Sequence, residues 1–155
     1  MNVHIEEVTN VHIEEVTKEN WREIATLSVG SHQQHLVESV PYCIAESFIE
    51  QYTISLGLYD DDTPIGYAMV GFHSKEKQSA WFDRFMIAAA HQGKGYAHLY
   101  IPLVLDYIKT TYQVRTIKLS IISTNYVAKQ LYEKYGFVLT GETDPEGELI
   151  MELSV

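Results

Sequence analysis

The chain is expected to be a single mixed α/β domain of the α+β kind, a central mixed, mostly antiparallel sheet with helices on both faces. Three observations predict it. Strand-like and helix-like apolar periodicities follow one another in the order β-α-α-β-β-β-α-β-α-β-β. A three-strand meander is followed by a helix and a further strand, an order that implies a parallel crossover in mid-sheet. No linker or low-complexity stretch divides the 155 residues, of which 46% are hydrophobic and 21% charged, so bulk disorder is excluded.

The elements can be justified in order. Residues 2–9 (NVHIEEVT) recur unchanged as residues 10–17. A unit of that length is too short for a solenoid or propeller, so it is one strand written twice. The second copy leads directly into a helical pattern. Residues 11–16 are therefore assigned as the first strand, residues 1–10 as a duplicated segment and residues 11–155 as the domain. Thr17 is the expected N-cap of a helix that places Trp21, Ile24, Ala25 and Leu27 or Ser28 on one face. A polar passage over 30–40 precedes a second helix, opened by Pro41, with Ile44, Phe48 and Tyr52 at spacings of four. Residues 54–59 and 65–72 read as a hairpin around Asp60-Asp61-Asp62-Thr63-Pro64. After a polar tip, residues 80–87 form the third meander strand. A helix over about 97–112, a strand over 116–122 and a helix over 125–135 follow. Strands over 136–140 and 148–153 close the chain around Asp144-Pro145-Glu146-Gly147.

Charge narrows the partners. With 21 acidic residues against 11 Lys plus Arg, the net charge of −10 repels phosphate backbones and concentrates cations, so nucleic acid is not an expected partner. A single cysteine, the lack of a signal-peptide pattern and the lack of any run of about 18 apolar residues predict a cytoplasmic protein away from the membrane. Cys43 has no sequence-near His or Lys and reads as a small buried residue. His32 and His35 are three apart, but no further ligand falls at metal-site spacing and no metal is expected.

The most informative stretch is His91-Gln92-Gly93-Lys94-Gly95-Tyr96-Ala97, between an apolar strand and a helix. A glycine turn there lets backbone N–H groups converge on an anion at the helix N-terminus. It is not a P-loop, because no Ser or Thr follows the lysine. His98 stands where a dinucleotide fingerprint needs its last glycine. A tight turn that binds nothing is the plain alternative.

Asp83-Arg84-Phe85-Met86-Ile87, the Gln92–Ala97 run, and Asn125-x-x-Ala128-x-x-Leu131-Tyr132-Glu133-x-x-Gly136-Phe137 together resemble the GNAT superfamily of acetyl-CoA-dependent N-acetyltransferases. The likeness extends from residue 11 to the end. It is greatest for the bacterial spermidine and diamine N-acetyltransferases, through RFMI, QGKGYA and the run from Gly141-Glu142 through Gly147-Glu148 to Met151 and Leu153. Gln92 stands where many members have Arg and Ala97 where many have Gly, and neither departure removes a backbone donor.

The resemblance implies a parallel strand pair that splays at the cofactor site. It implies pyrophosphate binding on the backbone of Gln92, Gly93, Lys94, Gly95, Tyr96 and Ala97, and a pantetheine arm along Phe85, Met86 and Ile87. Asn125, which also suits an N-cap, and Ala128 would contact the cofactor from the other side. Tyr132 would give a proton to the departing thiolate. Asp83 falls where polyamine acetyltransferases can carry a glutamate base acting through water; one methylene shorter, it would need a bridging water or a closer amine. A structural pair of Asp83 with an Arg or Lys stays open. Strand alternation would set Trp81, Asp83 and Phe85 on one face and Phe82, Arg84 and Met86 on the other. Glu38, Glu46 and Glu50, with Tyr42 for a cation–π contact, could receive the remaining charges of a polyamine. The implied activity is direct acetyl transfer from acetyl-CoA to a primary amine of a polyamine, without an acyl-enzyme. Another small amine, a protein N-terminus, or a catalytically silent module that binds acetyl-CoA or polyamines remain alternatives. Family members commonly pair through elements near the closing strands, which implies a homodimer.

Overall fold

The computed structural model describes residues 10–155, so the first NVHIEEVT copy lies outside the described residues. The described residues form seven strands: β1 (Val11–Glu15), β2 (Thr53–Asp60), β3 (Thr63–Ser74), β4 (Ser79–Ile87), β5 (Thr116–Ile121), β6 (Val138–Thr143) and β7 (Leu149–Ser154). The helices are α1 (Trp21–Ala25), α2 (Val40–Ile49), α3 (Tyr96–Tyr112) and α4 (Tyr126–Glu133), with 3-10 turns over Ser31–Leu36 and Ala89–His91. One sheet runs β1-β2-β3-β4-β5-β7-β6, and its only parallel neighbours among the described residues are β4 and β5.

Both faces of the sheet are covered, as the sequence predicts. On one face α3 buries Tyr100, Ile101, Val104 and Ile108 against Leu56, Leu58, Ala68, Val70 and Ile117, and Tyr132 of α4 joins them. On the other face Ile24 of α1 and Val40, Cys43 and Ile44 of α2 pack on Tyr59, Tyr67, Met69 and Met86. β3 is consequently buried on both sides from Ile65 to Gly71, which is why it reads as a near-continuous apolar run. Within α3, Pro102 leaves the carbonyl of His98 without its helical N–H partner, and the Tyr135 hydroxyl lies 3.4 Å from that oxygen.

Several local expectations are corrected. Asn20, not Thr17, precedes the first helical residue; its side chain accepts from the Thr17 N–H at 2.8 Å and donates to the Glu15 carbonyl at 3.0 Å. Thr17 contributes its carbonyl instead, which accepts from the Trp21 N–H. α1 is a little over one turn long, so only Ile24 is fully buried, and Trp21 is exposed with the Arg22 guanidinium 4.8 Å from its ring centroid.

In α2, Ser39 caps the N-terminus by accepting from the Tyr42 N–H, and Pro41 sits in the first turn. The buried line is Val40, Cys43, Ile44 and Ser47, whereas Phe48 is 64% exposed and Tyr52 lies beyond the helix. The reason is geometric: each four-residue step overshoots a full turn by about 40°, so a row of fours drifts off the buried face. Small residues take its place. Ser47 is satisfied by the Ile44 carbonyl and by Ser55, which also bonds the Tyr67 hydroxyl. α4 ends at Glu133, and the closing strands begin later than expected, at Val138 and Leu149.

Candidate active site

The two parallel strands share three residue pairs, Ser79 opposite Thr116, Ala80 opposite Ile117 and Trp81 opposite Lys118. From Phe82 onward β4 stays with β3, while Leu119 to Ile121 of β5 follow β7. The strands diverge, and an open cleft of about 1180 Å³ occupies the wedge. Its walls include Phe85 and Met86 of β4, Asn125 capping α4 with Ala128 in its first turn and Tyr132 in its last, and Glu38, Tyr42 and Glu46 around α2.

β4 does not alternate as its sequence suggests. Met69 lies opposite Arg84 and Val70 opposite Phe82, so Asp83 is the extra residue of a β-bulge. Phe82 and Phe85 consequently share a face: their rings meet edge-on at 5.6 Å, and Phe82 packs on Tyr132 at 5.9 Å. Arg84 and Met86 lie on the opposite, α2 side. Asp83 joins them there, its Oδ2 lying 3.2 Å from where a Cβ on Gly71 would sit. The expected grouping of Asp83 with Phe85, and of Phe82 with Arg84, is thus overturned by one inserted residue.

That insertion creates a charge cluster. The Arg84 Nη2 bonds Glu46 Oε1 at 3.2 Å, its Nη1 donates to the Asp83 carbonyl at 3.2 Å, and the Cys43 thiol lies against the guanidinium. Burial pushes the Asp83 carboxyl up to about 6; the Arg84 charge opposes the shift and Glu46 reinforces it. Asp83 is therefore largely ionised at neutral pH yet able to take up a proton. Burial also raises the Cys43 thiol, and Arg84 only partly offsets it, so Cys43 is a packing residue.

Tyr132 sits between Phe82 and Phe137. Its hydroxyl makes no hydrogen bond among the described residues, and burial holds the phenol above its ordinary range, in the protonated, donating form. Asn125 caps α4 by accepting from the Ala128 N–H at 3.2 Å, so the N-cap reading of that residue holds.

The glycine turn lies beyond the residues that line the cleft, as does Ile87. Gly93 (φ +78°) and Gly95 (φ +83°) adopt left-handed backbone, and added Cβ atoms there would meet nothing within 4 Å. The amides of Gly93, Lys94 and Gly95 make no hydrogen bond among the described residues, which suits an anion cradle at the start of the 17-residue α3. Tyr96 turns its hydroxyl away to Asp60 Oδ2, and Lys94 is exposed. Gln92 ties the turn down: its Nε2 donates to the Ile87 carbonyl and to Gln33 Oε1, each at 2.8 Å.

Glu50 does not line the cleft. Asp144, Glu146 and Glu148, between β6 and β7, do; sequence reasoning assigned the first two to a turn and Glu148 to the start of the closing strand, with no binding role for any of them. Three acids within five residues, Asp144-Pro145-Glu146-Gly147-Glu148, were the available signal. Among the described residues, six carboxylates thus line the cleft against one guanidinium, that of Arg84. Among the described residues no group of His, Cys, Asp and Glu could hold a metal ion, and no helix is long and apolar enough to cross a membrane.

A divergent parallel pair, a glycine turn before a long helix and a buried tyrosine in the wedge lie within one domain, and the chain belongs to the GNAT acetyltransferase family, whose model matches residues 13–137. It is 31% identical over 156 residues to the spermine/spermidine N(1)-acetyltransferase of Bacillus subtilis (strain 168), covering 97% of each protein. In fold it is similar to spermidine N-acetyltransferase from Vibrio cholerae in complex with CoA and spermine (TM-score 0.72, 22% identity, 94% of each chain). The PaiA N-acetyltransferase of Thermoplasma acidophilum in complex with coenzyme A is similar too (TM-score 0.68, 17% identity, 94% of this chain and 99% of that one). A further structure of the Vibrio cholerae enzyme is dodecameric.

Proposed function

We propose that the chain transfers the acetyl group of acetyl-CoA directly to a primary amine of a polyamine. The observation that carries this reading is the wedge between β4 and β5, into which one strand brings Asp83 and one helix brings Tyr132, with five further carboxylates among the described residues of its lining. Acetyl-CoA supplies a thioester-activated acetyl group and a thiolate leaving group. The Gln92–Ala97 backbone receives the pyrophosphate, and the β4 edge at Phe85, Met86 and Ile87, left without a strand partner on the β5 side, offers main-chain groups to the pantetheine arm. Asp83 takes the proton of the attacking amine, directly or through water, as the C–N bond forms. Tyr132 gives its proton to sulfur as the C–S bond breaks. Glu38, Tyr42 and Glu46 on one wall, and Asp144, Glu146 and Glu148 on the other, attract the remaining ammonium groups.

The test is a thiol-release assay with spermidine, spermine, diamines, aminoglycosides, amino acids and peptide N-termini. Release of CoA with polyamines foremost is expected. Tight acetyl-CoA binding without release for any amine would make the chain a binding module, and release with other amines alone would overturn the polyamine assignment. The same reading places the enzyme in the cytoplasm and makes it a homodimer at least. Exposed Val138 and Leu139 on the edge strand β6 and the multimeric Vibrio cholerae relative support assembly, which sedimentation velocity would measure.

A further inference from the structure

We infer that Arg84 is a positioning residue of the transfer, holding Asp83 as a carboxylate beside the reacting amine and keeping Glu46 from competing for the same proton. The inference rests on the reading of Asp83 as the base.

The geometry begins with the bulge. In a regular strand Asp83 and Arg84 would point to opposite faces, but the extra residue brings both to the α2 side. There Glu46 of α2 would otherwise be an unpaired neighbouring carboxylate. Two carboxylates sharing a half-buried site drive one of them to keep its proton. Arg84 prevents this at both ends, binding Glu46 at 3.2 Å and the backbone of Asp83 at 3.2 Å. Burial restricts its movement: among the described residues the Nε is buried without a hydrogen-bond partner, Cys43 lies against the guanidinium, and 30% of the side chain remains exposed. The groups whose charge acts on Asp83 are Arg84 in its own strand and Glu46 from α2, while Tyr52 beyond the end of α2 and Tyr112 at the end of α3, across the sheet, feel the Asp83 charge. Both tyrosines are neutral around pH 7. The charge balance at Asp83 is therefore decided between one cation and one anion.

Arg84 also sorts the nitrogens of a polyamine. Among the described residues it is the one Lys or Arg side chain lining the cleft, whose walls also carry Glu38, Asp144, Glu146 and Glu148. A fixed positive charge beside Asp83 offsets Glu46, so an ammonium there is held less strongly than it would be beside two unpaired carboxylates, while distal ammonium groups are attracted to the walls. The nitrogen next to the acetyl group is thus the one most easily deprotonated.

The experiment is the pH profile of kcat/KM with acetyl-CoA and spermidine for wild type and four variants. Asp83→Asn should remove the acidic limb. Arg84→Gln should move that limb up by about one pH unit, because the carboxylate loses its cation. Glu46→Gln should move it down, because a like charge is gone, and Arg84→Lys should restore most of the wild-type midpoint. Retention of the limb in Asp83→Asn would overturn the assignment of the base. Loss of the limb in Asp83→Asn, with the midpoint unmoved in Arg84→Gln and Glu46→Gln, would overturn the role of Arg84 alone. Should Arg84→Gln not fold, the direction of the shift in Glu46→Gln decides the matter, since a purely structural ion pair would alter stability without moving the midpoint.

Discussion

Tyr132 and Asp83 carry opposite liabilities, and each can be measured apart from catalysis. The Tyr132 ring is held by Phe82 and Phe137 while its hydroxyl bonds to nothing among the described residues. Tyr132→Phe should accordingly lower kcat by about 10²-fold or more, with stability within about 1 kcal/mol of wild type in urea unfolding. Asp83 is a carboxyl raised from 3.8 to about 6 by burial. The folded state therefore binds its proton more tightly than the unfolded state, and Asp83 subtracts stability as pH climbs from about 4 through 6. Asp83→Asn should stabilise the fold at pH 7.5 by about 1–3 kcal/mol, and the gain should vanish by pH 4. An equal gain at both values would mean that the carboxyl is not desolvated. The place of Tyr132 on a helix was legible in the sequence because that helix carries a spaced motif. The surroundings of Asp83 were not, since a bulge leaves no mark in strand periodicity and the Arg84–Glu46 pair joins residues 38 apart.

At the scale of elements, α2 shows where periodicity misleads. Its row of fours is apolar, yet contact with the sheet is made by Val40, Cys43, Ile44 and Ser47. Ile44→Ala should cost about 2–4 kcal/mol and Phe48→Ala no more than about 0.5, measured by chemical denaturation. A loss at Phe48 as large as that at Ile44 would return the buried face to the row of fours. Element order, the meander and the crossover could be read because each rests on long patterns. Cap positions and the ends of α1, α4, β6 and β7 could not, because they depend on local bonds such as Asn20 to Thr17. The glycine turn behaves differently from the strands. A Cβ at Gly66 would collide with the Met86 carbonyl and break the β3–β4 pairing, whereas Gly95→Ala adds only left-handed strain in open space. Gly95→Ala should therefore fold, with a raised KM for acetyl-CoA as its main defect.

For the whole molecule, charge is the property that composition announced and the fold concentrated. The net charge of −10 is spread along the sequence, but six carboxylates meet in one cleft from α2, its approach, β4 and the turn before β7. No sequence pattern links Glu38 to Glu146; the closing hairpin brings them to opposite walls. Raising ionic strength from 0.05 to about 0.5 M shortens the screening length several-fold, so KM for spermidine should rise while KM for a monoamine changes little. Salt-independent KM values for spermidine would remove electrostatics from substrate capture. Deletion of residues 2–9 should leave transfer intact, because β1 is built from the second copy.

The short ladder between β4 and β5 has a mechanical consequence. Three residue pairs and the helices laid across them are what join a four-stranded ribbon to a three-stranded one, so the sheet has a seam through its middle. A ligand lying in the wedge with its own amides paired to Phe85 and Ile87 would act as an eighth strand and stitch the ribbons together. CoA at 100 times its dissociation constant would add about 2.7 kcal/mol to the folded state, and amide exchange should slow most along that edge rather than uniformly over the sheet.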